Sequence, residues 1–496
     1  MGVDTKHPQY RDHLAQWSRC RDAYDGTDAV KTAATTYLPQ LGGQDAVEYR
    51  GYKERALFYN CTSRTVHGLS GTIMRKAPTM KLPPVLKEWE KDVTRNGDTL
   101  AAFVQKNLDE TLKIGRLGVL LDVPKAGALN IKPYWVVYRA DQIVNWEYRW
   151  EQGERKLMLV VLFECVTEGG VFDSKEIEQY RVLSLTEGRY TVQLWRQKTK
   201  TTEGSMVTGV ADTAIEWVKF EEEQVPQIKG APLPYIPFVG FSSRSITLEC
   251  EKPPLLDLVD VNLSHYRSSA DLENGRHWCG TPQPWVSGVA GTATLTIGGQ
   301  NAWKFSDANA KAGMLEFTGQ GLTALEKALT EKEAQMAVLG ARLLEGQPTR
   351  VQETAEAVRT RHRGEESVLA TIASTFSQGI TQLLKWTAEW MSVLNADTVQ
   401  FELNREFFDV KLSPQELTAL VTAWQSGAIS FTTLFFNLKR GEVMAPERTE
   451  EDEKTDIDKD SEDDPQQDLP LDPNDLVPPV KGKGKGKTPV PPDDEL

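Results

Sequence analysis

The order of segments between residues 251 and 394 constrains this chain more than any single motif. Glu251-Lys252-Pro253-Pro254 is a favourable helix start, and Leu255, Leu258, Val259, Asn262, Leu263, Tyr266 and Ala270 follow at steps of three and four. That spacing predicts a helix reaching about His277, roughly 36 Å long at ~1.5 Å per residue. A Gly-, Thr- and Pro-rich stretch, residues 280–321, interrupts it and holds three strand-like runs at 292–299, 302–305 and 314–317. A second helix is expected over 322–344, then the breaker Gly346-Gln347-Pro348, then a very long helical pattern over about 349–394. The order is helix, small β module, helix, loop, long helix.

Upstream, Leu14 and Trp17, and later Tyr52, Ala56 and Tyr59, have helical spacing, and residues 98–114 read as another helix. The texture then changes to short β-branched or aromatic runs at 117–123, 134–138, 143–146, 156–165, 177–185, 190–196 and 236–241, separated by Gly, Asp and charged turns. The fold class expected is α+β with a mainly antiparallel sheet. Downstream, residues 399–404 read as a strand. Ser413-Pro414-Gln415-Glu416 marks a helix start, and Ser430 is a cap for a last short helix.

At 496 residues the chain exceeds the ~250–300 residues at which a single core stops growing, so several packed regions are expected. The net charge of -14 is uneven: from Pro446 onward 17 acidic residues stand against 7 basic ones. With nine prolines and few aliphatics there, residues 447–496 are expected to form a disordered acidic tail. The run ending Gly486-Lys487-Thr488 resembles the end of a phosphate loop. Lys481 stands where the first glycine belongs, and prolines flank the run, so it fails as one.

Chemistry is conspicuous by its absence. The five cysteines are dispersed and never paired as C-x-x-C, which fits a reducing cytoplasm and argues against a zinc ribbon. No stretch is long and apolar enough for a membrane span, and the charged N-terminus does not read as a signal peptide. None of the six histidines makes a zinc-binding i, i+4 pair, and neither a nucleophile elbow nor a dinucleotide fingerprint occurs. Carboxylate pairs such as Asp257 with Asp260, or Glu331 with Glu333, are more simply solvated helix faces. The thirteen tryptophans mostly fall on apolar faces, as core residues do. No catalytic residue, metal or cofactor is expected, and the chain is not read as an enzyme.

The segment order resembles the stem, clip, second stem helix, tunnel loop and long wing helix of tailed-bacteriophage portal proteins. Residues 37–78 (YLPQLGGQDAVEYRGYKERALFYNCTSRTVHGLSGTIMRKAP) resemble the opening of a portal-like branch long catalogued as a domain of unknown function. Residues 351–386, with Glu353, Thr354, Ala355 and Glu356 after the breaker, and residues 420–444 are similar too. The resemblance covers about residues 10–444.

It implies an α+β wing over 1–250, stem helices over 251–279 and 322–344 around a β-rich clip over 280–321, and a tunnel loop over 345–352. A long wing helix over 353–395 and a C-terminal strand and helical crown over 396–446 complete it. It also implies a homo-oligomeric ring, a dodecamer, at one capsid vertex of a virion, assembled in the host cytoplasm and away from membranes. Its partners would be the terminase large subunit, a head-tail adaptor, the major capsid and scaffolding proteins, and double-stranded DNA held non-specifically. By position, Arg342, Glu345, Gln347, Arg350 and Gln352 would face the channel from the tunnel loop. Asp257, Asp260, Asp271 and Glu273 would form the stem channel face, where like charge discourages DNA from sticking. An ordinary amphipathic helix in a monomer accounts for these acids equally well, and a plain helix connection accounts for the loop. Arg359, Arg361, His362 and Arg363 could meet DNA or a neighbour's acids. The alternative to the portal reading is a cytoplasmic scaffold or adaptor with an acidic tail.

Overall fold

The computed structural model describes residues 2–124, 132–170, 172–202, 212–281, 283–288, 305, 308–315, 319–341, 368–394, 396–405, 407, 414–441, 443–444 and 448–462. The chain divides into two compact units, Met1–Phe407 and Phe408–Leu496. The helices described in the first are α1 (Pro8–Asp25), α2 (Thr27–Thr32), α3 (Ala46–Arg55), α4 (Cys61–Ile73), α5 (Pro84–Trp89), α6 (Leu100–Ile114), α7 (Leu256–Gly280), α8 (Leu322–Ala341) and α9 (Val368–Trp390). Its strands are β1 (Thr79–Lys81), β2 (Arg116–Asp122), β3 (Tyr134–Arg139), β4 (Ile143–Glu151), β5 (Glu154–Gly170), β6 (Asp173–Thr186), β7 (Arg189–Thr202), β8 (Asp212–Gln224), β9 (Gln227–Ile228), β10 (Ala231–Pro232), β11 (Phe238–Ser242), β12 (Gln283–Ser287), β13 (Lys311–Leu315) and β14 (Gln400–Glu402).

The expected α+β class is borne out. A three-stranded sheet, β11-β2-β3, and a five-stranded meander, β4 to β8, are both antiparallel. The first is central because β2 is buried on both faces. Leu117, Val119 and Leu121 join a core with α4, α5, α6 and α9, while Leu120 joins a second core with α1, α3, α7 and the meander. A strand sealed on both sides reads as an unbroken apolar run, which is why residues 117–123 lack alternation. Gly118 is required in the middle of it, since a Cβ there would meet Phe238 at 2.2 Å.

Local chemistry sets the helix ends. Thr99 Oγ1 accepts the Ala102 N–H at 3.3 Å to start α6, and Gly115 at φ 76° stops it in the left-handed region. The helical spacing expected through Tyr59 ends earlier, at Arg55, because Asn60 turns out to cap α4, its Oδ1 accepting the Ser63 N–H at 3.0 Å.

Downstream the match with expectation is uneven. β12 pairs with β13 where a β module was expected, but most of residues 292–305 lie outside the described residues. So does the first part of the expected long helix; its described part, α9, ends at Trp390, where the Val393 N–H bonds back to Ala388 O.

The second unit holds α10 (Pro414–Gln425), α11 (Phe431–Arg440) and α12 (Glu450–Glu462). Ser430 caps α11 as expected, its Oγ accepting the Thr433 N–H at 3.2 Å. The acidic tail expected to be disordered begins instead as a helix. Thr449 and Asp452 cap α12 reciprocally, each side chain accepting the other's N–H at 3.1 Å. Its first turn, Glu450 to Glu453, is acidic, which complements the helix dipole. Lys454 then pairs with Glu450 at 2.6 Å, and Arg448 pairs with Glu453 and Asp456.

Candidate interaction surface of the helical hairpin

α7 and α8 pack antiparallel. Leu322 lies against Gly275, His265 Nε2 is 3.3 Å from Glu333, and Gly340 faces Leu258. Two further contacts tie the pair. Lys332 Nζ donates to Ser264 O at 3.1 Å and Ser268 Oγ at 2.6 Å, and Arg276 bridges Glu273 and Glu326 at 2.8 Å each. Burial pushes the His265 imidazole down by more than Glu333 raises it. Burial, followed by the Arg267 charge, likewise holds the Lys332 ammonium below its usual range.

The two helices differ in what covers them. The apolar stripe of α7, including Leu256, Leu258, Val259, Leu263, Tyr266 and Ala270, is buried within this chain. Asn262 lies in that stripe, its Oδ1 accepting from Thr62 Oγ1 at 2.9 Å and its Nδ2 donating to Tyr59 O at 2.8 Å. The N-terminal helices help to cover this stripe, so α7 needs no neighbouring copy to bury it. On α8, by contrast, Met336 is the one buried side chain among those described, and Val338 is 52% exposed. At the far end of the hairpin, Trp278, Trp285, Met314 and Leu315 are all exposed on and beside the β12–β13 ribbon.

Each of the four acids expected on a stem channel face has a partner in this chain. Asp257 pairs with Lys252 at 2.6 Å and Asp260 with Arg19 of α1 at 3.1 Å. Asp271 accepts the Tyr52 hydroxyl of α3 at 2.6 Å, and Glu273 meets Arg276. Burial first, and then that hydrogen bond, hold the Tyr52 phenol well above its usual range. At 3.6 residues per turn the first three acids fall within roughly 60° of one another on α7, on the side of α1 and α3, and Glu273 lies roughly 160° away. Three of the four thus share one side of α7, spread over roughly 21 Å of its length, and two of those also tie α7 to the N-terminal helices. Arg342, Glu345, Gln347, Arg350 and Gln352, together with Arg359, Arg361, His362 and Arg363, lie outside the described residues. Among the described residues no His, Cys, Asp and Glu group could hold a metal ion, and no helix is long and apolar enough to cross a membrane.

Sequence reasoning missed the His265–Glu333 and Lys332–Ser268 contacts. Each partner lies on a helix with helical spacing, but the hairpin register that joins them leaves no local mark.

Residues 254–391, which run from the start of α7 through α9, match the family model of a domain of unknown function, DUF4055. No curated protein matches the sequence. Solved structures similar to this chain include the neck of an empty GTA particle computed with C6 symmetry, at 13% identity and TM-score 0.35, covering 81% of this chain and 95% of that one. The virion of a native gene transfer agent particle is similar at 14% identity and TM-score 0.33, with 81% and 95% covered. The neck of a native GTA particle computed with C12 symmetry is similar at 12% identity and TM-score 0.32, with 83% and 98% covered.

Proposed function

We propose that this chain is a structural portal protein. In this reading copies form a ring at one capsid vertex, through which double-stranded DNA is packaged and ejected and on which the terminase motor and the tail adaptor dock. The observation that carries the reading is the uneven hairpin. α7 is sealed into its own chain, while α8 and the β12–β13 ribbon expose apolar side chains that a lateral neighbour would cover. The segment order read from the sequence supports it.

The parts follow from the same reading. Residues 1–250 form the wing, α7 and α8 the stem, 280–321 the clip that meets motor and adaptor, and 345–352 the loop facing DNA. Of the α7 acids, Asp257 and Asp260 remain accessible at 65% and 47% exposure, each beside the cation it pairs with.

The deciding measurement is solution mass, with negative-stain imaging. Rings with a central hole are expected. A 55.5 kDa species at micromolar concentration across several salt conditions would overturn the reading and leave the scaffold alternative. In assembled particles, replacing residues 345–352 with a glycine-serine linker should preserve rings and reduce packaged DNA. Unchanged packaging would remove the loop from the channel.

A further inference from the structure

The segment ahead of α1 lies along the edge of the five-stranded sheet. Its His7 N–H donates to Val144 O of the edge strand β4 at 3.0 Å, and Val3 packs on the cluster of Val144, Val161 and Tyr180. Exposure alternates along residues 2–7, with residues 3, 5 and 7 turned inward. The segment therefore blunts a sheet edge that would otherwise offer free backbone groups.

His7 holds it there by capping and by stacking, and the cap requires a neutral ring. It is the N-cap of α1, and its Nδ1 accepts the Gln9 N–H at 3.2 Å, so that nitrogen must keep its lone pair. It sits at the positive end of an 18-residue helix, where a cation is unfavourable. Its ring stacks on Trp146, with centroids 3.9 Å apart and an interplanar angle of 24°, and the Arg116 guanidinium lies 4.3 Å from the same indole.

Arg116 is fully buried. It donates to the carbonyls of Ala140, Ile143 and Leu248 and makes no ion pair among the described residues. Burial lowers its pKa to about 10, which leaves it charged at neutral and acidic pH. Titratable and charged groups around His7 also include Tyr148 on β4, Glu249 and Cys250 ahead of α7, Asp141 beside Tyr10, and Asp4, Lys6, Tyr10 and His13 on its own segment and helix. Among the charges around it, that of Arg116 opposes protonation of His7.

We propose that His7 is a proton-operated latch: neutral, it caps α1 and holds residues 2–7 on the edge of the sheet, and protonated, it releases them and uncovers the β4 edge and the patch under Val3. Burial, and then Arg116, push the imidazole below its ordinary 6.5. The folded state therefore disfavours the proton, and the latch is closed at neutral pH and opens as pH falls below that value.

The test is hydrogen exchange by mass spectrometry on the full chain between about pH 7.5 and about pH 5, corrected for the intrinsic pH dependence of exchange. Residues 2–10 and β4 should lose protection several-fold with a midpoint below 6.5, while β6 and β7 stay protected. His7→Asn keeps a capping acceptor that cannot take a proton, so its curve should be flat. Equal pH-dependent loss in the wild type and His7→Asn, or no loss in the wild type, would overturn the latch. If His7→Asn is open at every pH because stacking is lost, the wild-type curve decides. A midpoint below 6.5 confined to residues 2–10 and β4 supports the latch, and a midpoint at or above 6.5, or one shared with β6 and β7, overturns it.

Discussion

α8 and α9 are helices of 20 and 23 residues in the same unit, and they meet opposite fates. α9 buries thirteen residues and packs against β11, β2 and β14, with Phe376 5.0 Å from Phe241 and Gly379 leaving room for that ring. α8 carries Glu, Lys and Ala on most of its surface and rests chiefly on α7. A helix with small residues among large apolar ones can be enclosed by its own chain. A helix that spreads charged residues among its apolar ones, with apolar side chains left outside, draws its remaining cover from elsewhere. The contrast separates what stabilises the fold from what is available for assembly, and substitutions in each region should sort accordingly.

The largest effect is expected at Phe376→Ala in α9, about 3–5 kcal/mol of stability, because a side chain 1% exposed leaves a cavity that its packed neighbours cannot fill. Urea unfolding of the full chain measures it, and a loss below about 1 kcal/mol would mean that α9 is less enclosed than its burial implies.

Next is Glu110→Gln on α6. Burial raises the Glu110 carboxyl, but Lys113 at 2.8 Å and Arg21 at 2.7 Å outweigh burial and hold it below 4.5. The folded state thus favours the ionised form, and its contribution is present above 4.5 and lost as pH falls through the folded value. Removing the charge should cost about 3 kcal/mol at neutral pH, since the buried Lys113 loses its partner and the part-buried Arg21 keeps only Asp141. The melting temperature of the wild type should fall towards that of the variant on acidification, and a constant gap would refute the ion cluster.

Thr387→Val should cost about 1–3 kcal/mol, because the Trp135 Nε1–H, 3.0 Å from Thr387 Oγ1, would be left buried without an acceptor. The smallest effect on stability is expected at Val338→Ser on α8, within about 0.5 kcal/mol, since the side chain is half exposed. The same change should nonetheless weaken rings measured by light scattering. If it destabilises the chain as much as Thr387→Val does, α8 is enclosed by its own chain and the contrast fails.

Much of the fold was legible because short-range physics leaves local marks. Thr99 and Gly115 bracket α6, Pro254 precedes α7, Ser430 caps α11, and the unbroken run at 117–123 signals a strand with both faces covered. Residues 450–462 were misjudged because low apolar content was weighed above the capping chemistry of Thr449 and Asp452. Of the candidate site, the helices and their order were legible, while the roles of their acids were not.

By itself the sequence determined the helix and strand segments, the turns between them and the apolar face of each helix. Periodicity and capping act over a few residues and need no knowledge of partners. The tertiary structure alone decided which face met which. Asp260 met Arg19 and Asp271 met Tyr52 across more than two hundred residues, and Arg116, which reads as an ordinary charged side chain, came to rest in the core against Trp17 and Trp146. His7, unremarkable beside Pro8, became a capping acceptor on a sheet edge. A side chain's chemistry is carried by its own residue, but its burial and its neighbours' charges depend on long-range packing, which no local pattern encodes.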